Sequence, residues 1–372
     1  MKIGIDVRNL SKPLTGIGRY TLELCLQLAK IPDTQLFLYS PAPIIDSIDL
    51  SAFEPHTVRC ADLQSVWRRQ LWAETTLPKW ATADAIDIFW GPAHRLPYFL
   101  PRKIPSVVTI HDLVYRYHPR TMRLGTRVLD TIQMPLAIKQ ADHILADSGA
   151  TQESIYTEFK VAPLKVSIVY NGVSKKMGPI PRPLKFLEKK YILFVGTLEP
   201  RKNLVKLLWA YSALDEDAKQ ATPLVIAGGK GWGDVNLEGL IHKLNLSPFV
   251  HLLGYVDDPI LQSLYANALF LAMPSLYEGF GLPLIESMSY GVPILTSNTS
   301  SMPEVAGDAG YLVDPLNVES IKNGLLTLIT DIKLHQALSQ KARPNADRFS
   351  WEDSAHRLRT IFEKVIMDRQ HQ

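Results

Sequence analysis

Two carboxylates stand eight positions apart in the run Pro274-Ser275-Leu276-Tyr277-Glu278-Gly279-Phe280-Gly281-Leu282-Pro283-Leu284-Ile285-Glu286. Gly279 and Gly281 let the backbone bend and approach a ligand more closely than a residue with a Cβ permits. Pro283 has its φ preset for a first helical turn, where the missing N–H costs nothing. A helix that begins here turns the N–H groups of Gly279, Phe280, Gly281 and Leu282 outward at its positive end, a seat that suits phosphate. Glu278 precedes the turn and Glu286 lies about one helical turn inside it, so one acid flanks each side of the seat. That spacing suits a nucleotide-sugar, with the sugar at Glu278 and the ribose at Glu286. An ordinary strand-turn-helix with a capping glutamate explains any one of these residues, but it explains the whole set poorly.

Other groups of residues could serve the same chemistry. Gly196-Thr197-Leu198-Glu199-Pro200-Arg201-Lys202-Asn203 follows the apolar run 191–195 and opens a helix. Arg201 offers a bidentate fork and Lys202 a point charge, together enough to neutralise a pyrophosphate; alone, the motif would read as a solvated loop. Gly16 and Gly18, in Thr15-Gly16-Ile17-Gly18-Arg19-Tyr20, precede a helix and superficially match a dinucleotide fingerprint. Thr21 stands where the third glycine belongs, and the strand at 35–39 ends at Ser40 without an acid to hold a ribose, so a dehydrogenase is disfavoured. His111-Asp112 ends the run Val107–Ile110, where both side chains can project from a strand's end; a structural histidine oriented by Asp112 is the commoner case. Gly254-Tyr255-Val256 reads as a turn. Gly228-Gly229-Lys230-Gly231-Trp232-Gly233 looks like a phosphate cradle but lacks the Gly-Lys-Ser/Thr ending, and reads as a flexible loop.

These residues need a scaffold that alternates strands and helices. Short apolar, β-branched runs predict strands at 2–7, 35–39, 86–89, 106–110, 143–147 and 166–169, with helices at 16–30, 63–80, 122–140 and 149–157. Three prolines in five residues (Pro179, Pro181, Pro183) break the pattern, so 174–189 is expected to be a linker. A second series predicts strands at 191–195, 223–227, 250–253, 269–272 and 293–296, with helices at 202–213, 235–244, 258–267, 282–290, 316–329 and 332–347. The fold class is α/β: two doubly wound domains with parallel sheets and a cleft at the carboxyl ends of their strands. The helix from Trp351 to about Met367 is amphipathic.

The 372 residues suit two domains, and 46% hydrophobic with 21% charged residues fits a water-soluble globular chain. Two cysteines, Cys25 and Cys60, are too few for a disulfide framework and point to a reducing cytoplasm. Asp6 and Arg8 break any secretory apolar core, and no apolar run is long enough to span a membrane. The net charge of +3 is uneven: residues 1–175 hold 20 bases against 16 acids, leaving 20 against 21 beyond. Residues 91–127 hold seven bases (Arg95, Arg102, Lys103, Arg116, Arg120, Arg123, Arg127) and one acid, Asp112. Such a run is usually a solvated face; the functional alternative is an anionic acceptor or membrane surface, and no nucleic-acid-binding module accompanies it. Trp67, Arg68, Arg69, Trp72 and Trp80 share a predicted helix, where buried core aromatics are the default and a lipid- or glycan-contacting surface the alternative.

The Glu-x7-Glu segment, with Thr15–Tyr20, His111-Asp112, Asn171-Gly172-Val173, Gly196–Asn203 and Gly254–Val256 in order, resembles the retaining glycosyltransferases of family 4, which have the GT-B fold. The resemblance spans nearly the whole chain. It implies a first Rossmann-like domain over 1–174 that regains the terminal helix 351–372 and receives the acceptor, and a second over 175–350 that binds the nucleotide-sugar. It implies catalytic roles for Glu278, Arg201, Lys202 and His111, the last beside the transferred sugar. It implies donor binding by Gly16, Gly18, Thr197, Val256, Gly279, Phe280, Gly281, Leu282 and Glu286, the segment around Val256 reading the nucleobase. Thr197 departs from the arginine that many members carry after this glycine, which shifts phosphate charge toward Arg201. The Gly-Thr-Leu-Glu-Pro-Arg-Lys-Asn variant is similar to bacterial mannosyltransferases that build surface polysaccharide. The expected reaction is hexose transfer, from GDP-mannose first and a UDP-hexose second, to a glycan or polyprenyl-diphosphate-linked glycan, with Arg116, Arg120 and Arg123 meeting the acceptor's anion. No cofactor and no divalent metal is expected, since no Asp-x-Asp site is evident. A nucleotide-sugar epimerase and a non-catalytic sugar-nucleotide-binding protein on the same fold are the alternatives from other classes. The expected place is the cytoplasm, with peripheral contact at the inner face of the cell membrane.

Overall fold

The computed structural model describes residues 1–54, 56–174, 190–232 and 236–371. The chain separates into two compact units, one of Met1–Leu113, Leu124–Ser174 and Ser350–Gln372, the other of Val114–Arg123 and Lys175–Phe349. Beyond Ser174, the expected linker lies outside the described residues, as does Gly233.

In the first unit the strands are β1 (Lys2–Asp6), β2 (Gln35–Ser40), β3 (Thr57–Cys60), β4 (Ile88–Gly91), β5 (Ser106–Ile110), β6 (His143–Ala146) and β7 (Val166–Ile168). They form one parallel sheet in the order β3-β2-β1-β4-β5-β6-β7. The chain runs outward from β1 through β3, then returns to place β4 on the other side of β1. That reversal is the switch point, where the loops leaving neighbouring strands diverge and leave room for a ligand. The helix Trp351–Gln370 packs on this unit: Trp351 lies edge-on to Tyr20, Phe362 meets Trp90, and Arg369 pairs with Asp142 at 2.8 Å.

In the second unit β8 (Ile192–Val195), β9 (Leu224–Ala227), β10 (Val250–Gly254), β11 (Phe270–Met273), β12 (Ile294–Ser297) and β13 (Gly310–Val313) form a second parallel sheet. Its order is β10-β9-β8-β11-β12-β13, so the switch point falls between β8 and β11. The strands β8, β9 and β11 are buried along their whole length, and their unbroken apolar runs made them legible. Their side chains join Leu207, Leu208, Tyr211, Ile321 and Leu325 in one core.

The structure adds two strands that the sequence pattern did not reveal, β3 and β13. Each is a sheet edge, and neither is apolar throughout: Arg59 interrupts one, and Gly310 opens the other. The helix expected from 202 begins instead at Leu204, because Asn203 takes a left-handed φ of 61° after a 3-10 turn over Pro200–Lys202. The segment Val114–Arg123, expected in the first domain, groups with the second unit. Its contacts explain why: Tyr117 stacks on Tyr277 at 5.8 Å, and Trp232 Nε1 donates to the Thr121 carbonyl at 2.8 Å.

Candidate functional site

The loops that follow β8 and β11 leave adjacent parallel strands in the same direction, which brings residues near 200 and 278 together. Leu276 N donates to the Arg201 carbonyl at 2.8 Å, and Asn203 Nδ2 donates to the Pro274 carbonyl at 2.9 Å. These bonds fix the 3-10 turn against the second loop before any charge is considered. The left-handed Asn203 then aims its amide inward, where it also reaches the Pro315 carbonyl at 2.8 Å.

On this frame stand four charges. Arg201 Nη1 donates to Glu278 Oε2 and Lys202 Nζ to Glu278 Oε1, both at 2.7 Å. The other edge of the Arg201 guanidinium grips Glu199 Oε1 through Nε at 3.1 Å and Nη2 at 2.7 Å. Glu199, Lys202 and Glu278 are all buried. Burial alone would push the Glu278 carboxyl up, but the charges of Arg201 and Lys202 and the hydrogen bonds it accepts hold it at about 2. Burial pushes Glu199 above the ordinary carboxylate range, against the pull of the same two cations. Read from the sequence, Arg201 and Lys202 form a positive patch. In the structure they are already matched by two carboxylates, so an incoming anion would compete with resident ones.

The Glu278 backbone is equally constrained. Its N–H donates to Ser300 Oγ at 3.3 Å, while its carbonyl accepts from the Ser300 hydroxyl and from Ser301 Oγ at 3.0 Å. Gly281 caps the helix Leu282–Ser289 with φ 101°, a left-handed conformation open to glycine and costly for other residues. Pro283 occupies the first turn of that helix. Glu286 is half-buried, and its Oε2 accepts from the Tyr265 hydroxyl at 2.7 Å; Tyr265 stacks on Tyr290.

The glycine-rich segment after β9, expected to be a flexible loop, has a packing role over its described residues. A Cβ on Gly228 would stand 1.9 Å from the Gly196 carbonyl oxygen, so only glycine fits. Gly228 N donates to the Gly254 carbonyl at 2.8 Å and Leu198 N to the Gly229 carbonyl at 3.1 Å. The three loops after β8, β9 and β10 are thereby laced together. Thr197 is exposed on one of them, and half-buried Val256 follows Gly254 on another.

In the first unit His111 follows β5 and is buried. Its Nδ1 lies 3.1 Å from Asp147 Oδ2, and its Nε2 lies 2.8 Å from the Pro92 carbonyl. The orienting carboxylate is thus Asp147 at the end of β6, not Asp112. Burial opposes protonation of His111, yet the bond to Asp147, its charge and the Pro92 carbonyl raise the pKa above the usual histidine value. Gly16 and Gly18 begin the helix Gly16–Leu28, which meets His111 through Tyr20, edge-on at 4.7 Å. Gly18 is buried, while Gly16 is exposed.

Sequence reasoning missed several residues here. Glu199 lies inside the Gly196–Asn203 motif, where the sequence pattern alone assigns it no role. Ser300 and Ser301 carry no signal beyond small polar side chains after a strand. His118 lies 5.5 Å from the Tyr277 ring, its pKa lowered by burial and by the charge of Arg201. His94 is buried in a left-handed conformation with φ 62°, and among the described residues neither of its ring nitrogens has a hydrogen-bond partner. Arg116, Arg120 and Arg123 belong to the segment grouped with the second unit, and the Arg123 guanidinium lies 5.7 Å from the Trp232 ring. Among the described residues no cluster of His, Cys, Asp and Glu could hold a metal ion.

A family model described as Glycosyltransferase Family 4 matches residues 14–176, and one described as Glycosyl transferases group 1 matches residues 180–344. The chain is 33% identical over 376 residues to the O-antigen chain mannosyltransferase B of Escherichia coli, covering 95% of this chain and 97% of the relative. It is 31% identical over 400 residues to the MMP alpha-(1->4)-mannosyltransferase of Mycolicibacterium hassiacum, covering 98% and 94%. Among solved structures, sucrose-phosphate synthase from Thermosynechococcus elongatus superposes with a TM-score of 0.81 at 19% identity, covering 99% of each chain, a likeness of fold.

Proposed function

The chain belongs to the family 4 glycosyltransferases of GT-B fold, and from that premise we propose that it transfers mannose from GDP-mannose to a hydroxyl of a glycan or lipid-linked glycan, in the synthesis of a bacterial surface polysaccharide such as O-antigen, with retention of anomeric configuration. The observation that carries the reading is the cluster of half-buried Arg201 with buried Glu199, Lys202 and Glu278, beside the glycine turn at Gly281. The naming of full-length relatives as mannosyltransferases supports the sugar. Their transferase activity also sets the epimerase alternative aside.

In this reading the anomeric carbon–oxygen bond to the diphosphate breaks and its electron pair leaves with the phosphate oxygen. The acceptor hydroxyl attacks the anomeric carbon from the face the diphosphate leaves, and its proton passes to a departing phosphate oxygen. Arg201 and Lys202 exchange part of their hold on Glu199 and Glu278 for the diphosphate, whose charge peaks as the bond breaks. The N–H groups around Gly279–Leu282 seat the phosphate, and Glu278, released in part from its cations, holds sugar hydroxyls. Glu286 takes the ribose, and the turn containing Val256 lies against the nucleobase. In the first unit we assign His111 a positioning role, because both of its ring nitrogens are engaged by Asp147 and Pro92. Arg116, Arg120 and Arg123 are kept for an anionic group on the acceptor. The reaction runs without a divalent metal, the two cations and the helix amides supplying the charge.

Calorimetric titration with GDP-, UDP- and ADP-sugars tests the donor. Tightest binding of GDP-mannose is expected; preference for a UDP-sugar would replace it with the UDP-hexose reading.

A further inference from the structure

The segment Val114–Arg123 packs with the second unit, beside the charged cluster of Glu199, Arg201, Lys202 and Glu278. It is held at both ends. Toward its start, Tyr117 stacks on Tyr277, the residue before Glu278, with the ring centroids 5.8 Å apart. Toward its end, Trp232 Nε1 donates to the Thr121 carbonyl at 2.8 Å, and the Arg123 guanidinium lies 5.7 Å from the Trp232 ring. Trp232 is itself fixed near the cluster: a Cβ on its neighbour Gly231 would stand 2.3 Å from the Leu198 carbonyl oxygen, immediately before Glu199.

Between these anchors lies His118, where a helical turn over Val114–Tyr117 meets a 3-10 turn over Pro119–Thr121. Its backbone is fully engaged. The His118 N–H donates to the Val114 carbonyl at 2.8 Å, and its carbonyl accepts from Thr121 N at 2.9 Å and Thr121 Oγ1 at 2.7 Å. The side chain is the reverse: its half-buried ring sits 5.5 Å from the Tyr277 ring, and among the described residues nothing hydrogen-bonds to either ring nitrogen. A rigid backbone thus presents an unused imidazole over Tyr277, whose own carbonyl accepts from Arg201 Nη1 at 2.8 Å. Burial first, and then the charge of Arg201, hold the His118 pKa below the usual histidine value, so the resting ring is neutral near pH 7.

A neutral imidazole beside a guanidinium changes character when an anion arrives. At rest the Arg201 charge is matched by Glu199 and Glu278. A diphosphate that enters beside Arg201 adds negative charge within reach of the ring and favours its protonated form. The ring then takes a proton from solvent and donates an N–H to a phosphate oxygen, a charge-assisted bond. When the nucleoside diphosphate leaves, the proton returns to solvent. The groups facing His118 are Arg201 from the loop after β8, Tyr277 from the loop after β11 and Tyr117 from its own turn; Arg116 and Arg120 on its own segment are exposed. Behind Arg201, Glu199 has a pKa raised by burial and is the other group able to take up a proton when Arg201 turns to a diphosphate.

We propose that His118 binds the diphosphate of the sugar nucleotide, taking up a proton as the donor binds and releasing it with the nucleoside diphosphate. This role rests on the transferase reading and adds to its phosphate-binding set a residue from a stretch that the sequence placed in the first domain.

Calorimetric titration of the full chain with GDP-mannose at about pH 6.5, in two buffers of different ionisation enthalpy, tests it. The difference between the two heats counts the protons exchanged, and the diphosphate of GDP-mannose, esterified at both ends, does not titrate at this pH. Wild type should take up a fraction of a proton per donor bound. His118→Phe, which keeps a ring against Tyr277, should abolish the uptake and weaken GDP-mannose binding about tenfold or more, with an unaltered melting temperature. His118→Gln, which restores an N–H donor, should recover part of the affinity and none of the uptake. Glu199→Gln should keep the uptake. Binding by wild type without proton uptake would overturn the proposal. So would uptake that persists in His118→Phe or vanishes in Glu199→Gln, or wild-type affinity in His118→Phe. If wild type binds a UDP-sugar instead, the same titration applies to that donor, because the diphosphate is common to both. A wild type that binds no sugar nucleotide would end the transferase reading, and this role with it, whereas donor binding without uptake ends this role alone.

Discussion

Replacing Glu278 by Gln keeps the volume of the side chain and removes the anion that holds Arg201 and Lys202. The carboxyl lies at about 2, against an ordinary 4.5. At roughly 1.4 kcal/mol per pH unit, its ionised form is favoured in the folded chain by about 3 kcal/mol. A depressed pKa gives stability that is complete above the unfolded value and is lost as the pH falls through the folded one. Glu278→Gln should therefore cost up to about 3 kcal/mol at pH 7, and by pH 3.5 the gap to wild type should shrink by roughly 1 kcal/mol. Calorimetry reads this in the thermal transition that GDP raises, which identifies the second unit. Binding gives an independent sign. With the resident anion gone, the two cations are more available to phosphate, so GDP should bind at least as tightly as to wild type while turnover falls. Wild-type stability at pH 7, a gap that does not narrow on acidification, or GDP affinity falling in step with turnover would each refute the reasoning.

Glu286→Ala should weaken GDP binding by about 1.5–3 kcal/mol, the worth of a charge-assisted hydrogen bond to the ribose; unchanged affinity by calorimetry would reject the ribose assignment. Arg201→Ala and Lys202→Ala should each lower kcat by more than they weaken GDP binding, because their partner is charge that peaks in the transition state, and activity should persist in EDTA; magnesium-reversible loss in chelator would count against both. Glu199→Gln should strengthen GDP binding by releasing one edge of the Arg201 guanidinium; weaker binding would show that Glu199 positions Arg201 rather than competing for it. The raised His111 pKa gives stability that is present below pH 6.5 and lost as pH rises through the folded value; Asp147→Asn should flatten that dependence in melting curves between pH 5.5 and about 8, and an unchanged slope would separate the two residues.

Much of the second unit was legible because its central strands are apolar on both faces and its site is written in residues of restricted geometry. Glycine at 281 and proline at 283 permit little besides a tight turn into a helix, and the helix is there. The edge strands β3 and β13 were not legible, since strands with an open side need no unbroken apolar run. The pairing of Arg201 and Lys202 with Glu278 could not be read from a separation of 76 and more residues; it depends on β8 and β11 being neighbours, which is a property of topology. Asp147 is the same case in the first unit. Asp112 is next to His111 in sequence, but the end of β6 lies beside the end of β5, and that carboxylate is the one aimed at the ring. The exposed side of the helix Leu124–Gln140 was hidden by its composition, because Leu124, Val128, Ile132 and Leu136, all exposed, have the spacing of an ordinary core stripe.

Transfer is tested by incubating the protein with GDP-mannose and a soluble mannose-ended acceptor, then determining product and anomeric configuration by nuclear magnetic resonance. One GDP released for each mannose transferred is expected, with an α-linked product, the configuration of the donor. A β-linked product, or GDP release that does not depend on the acceptor, would contradict it.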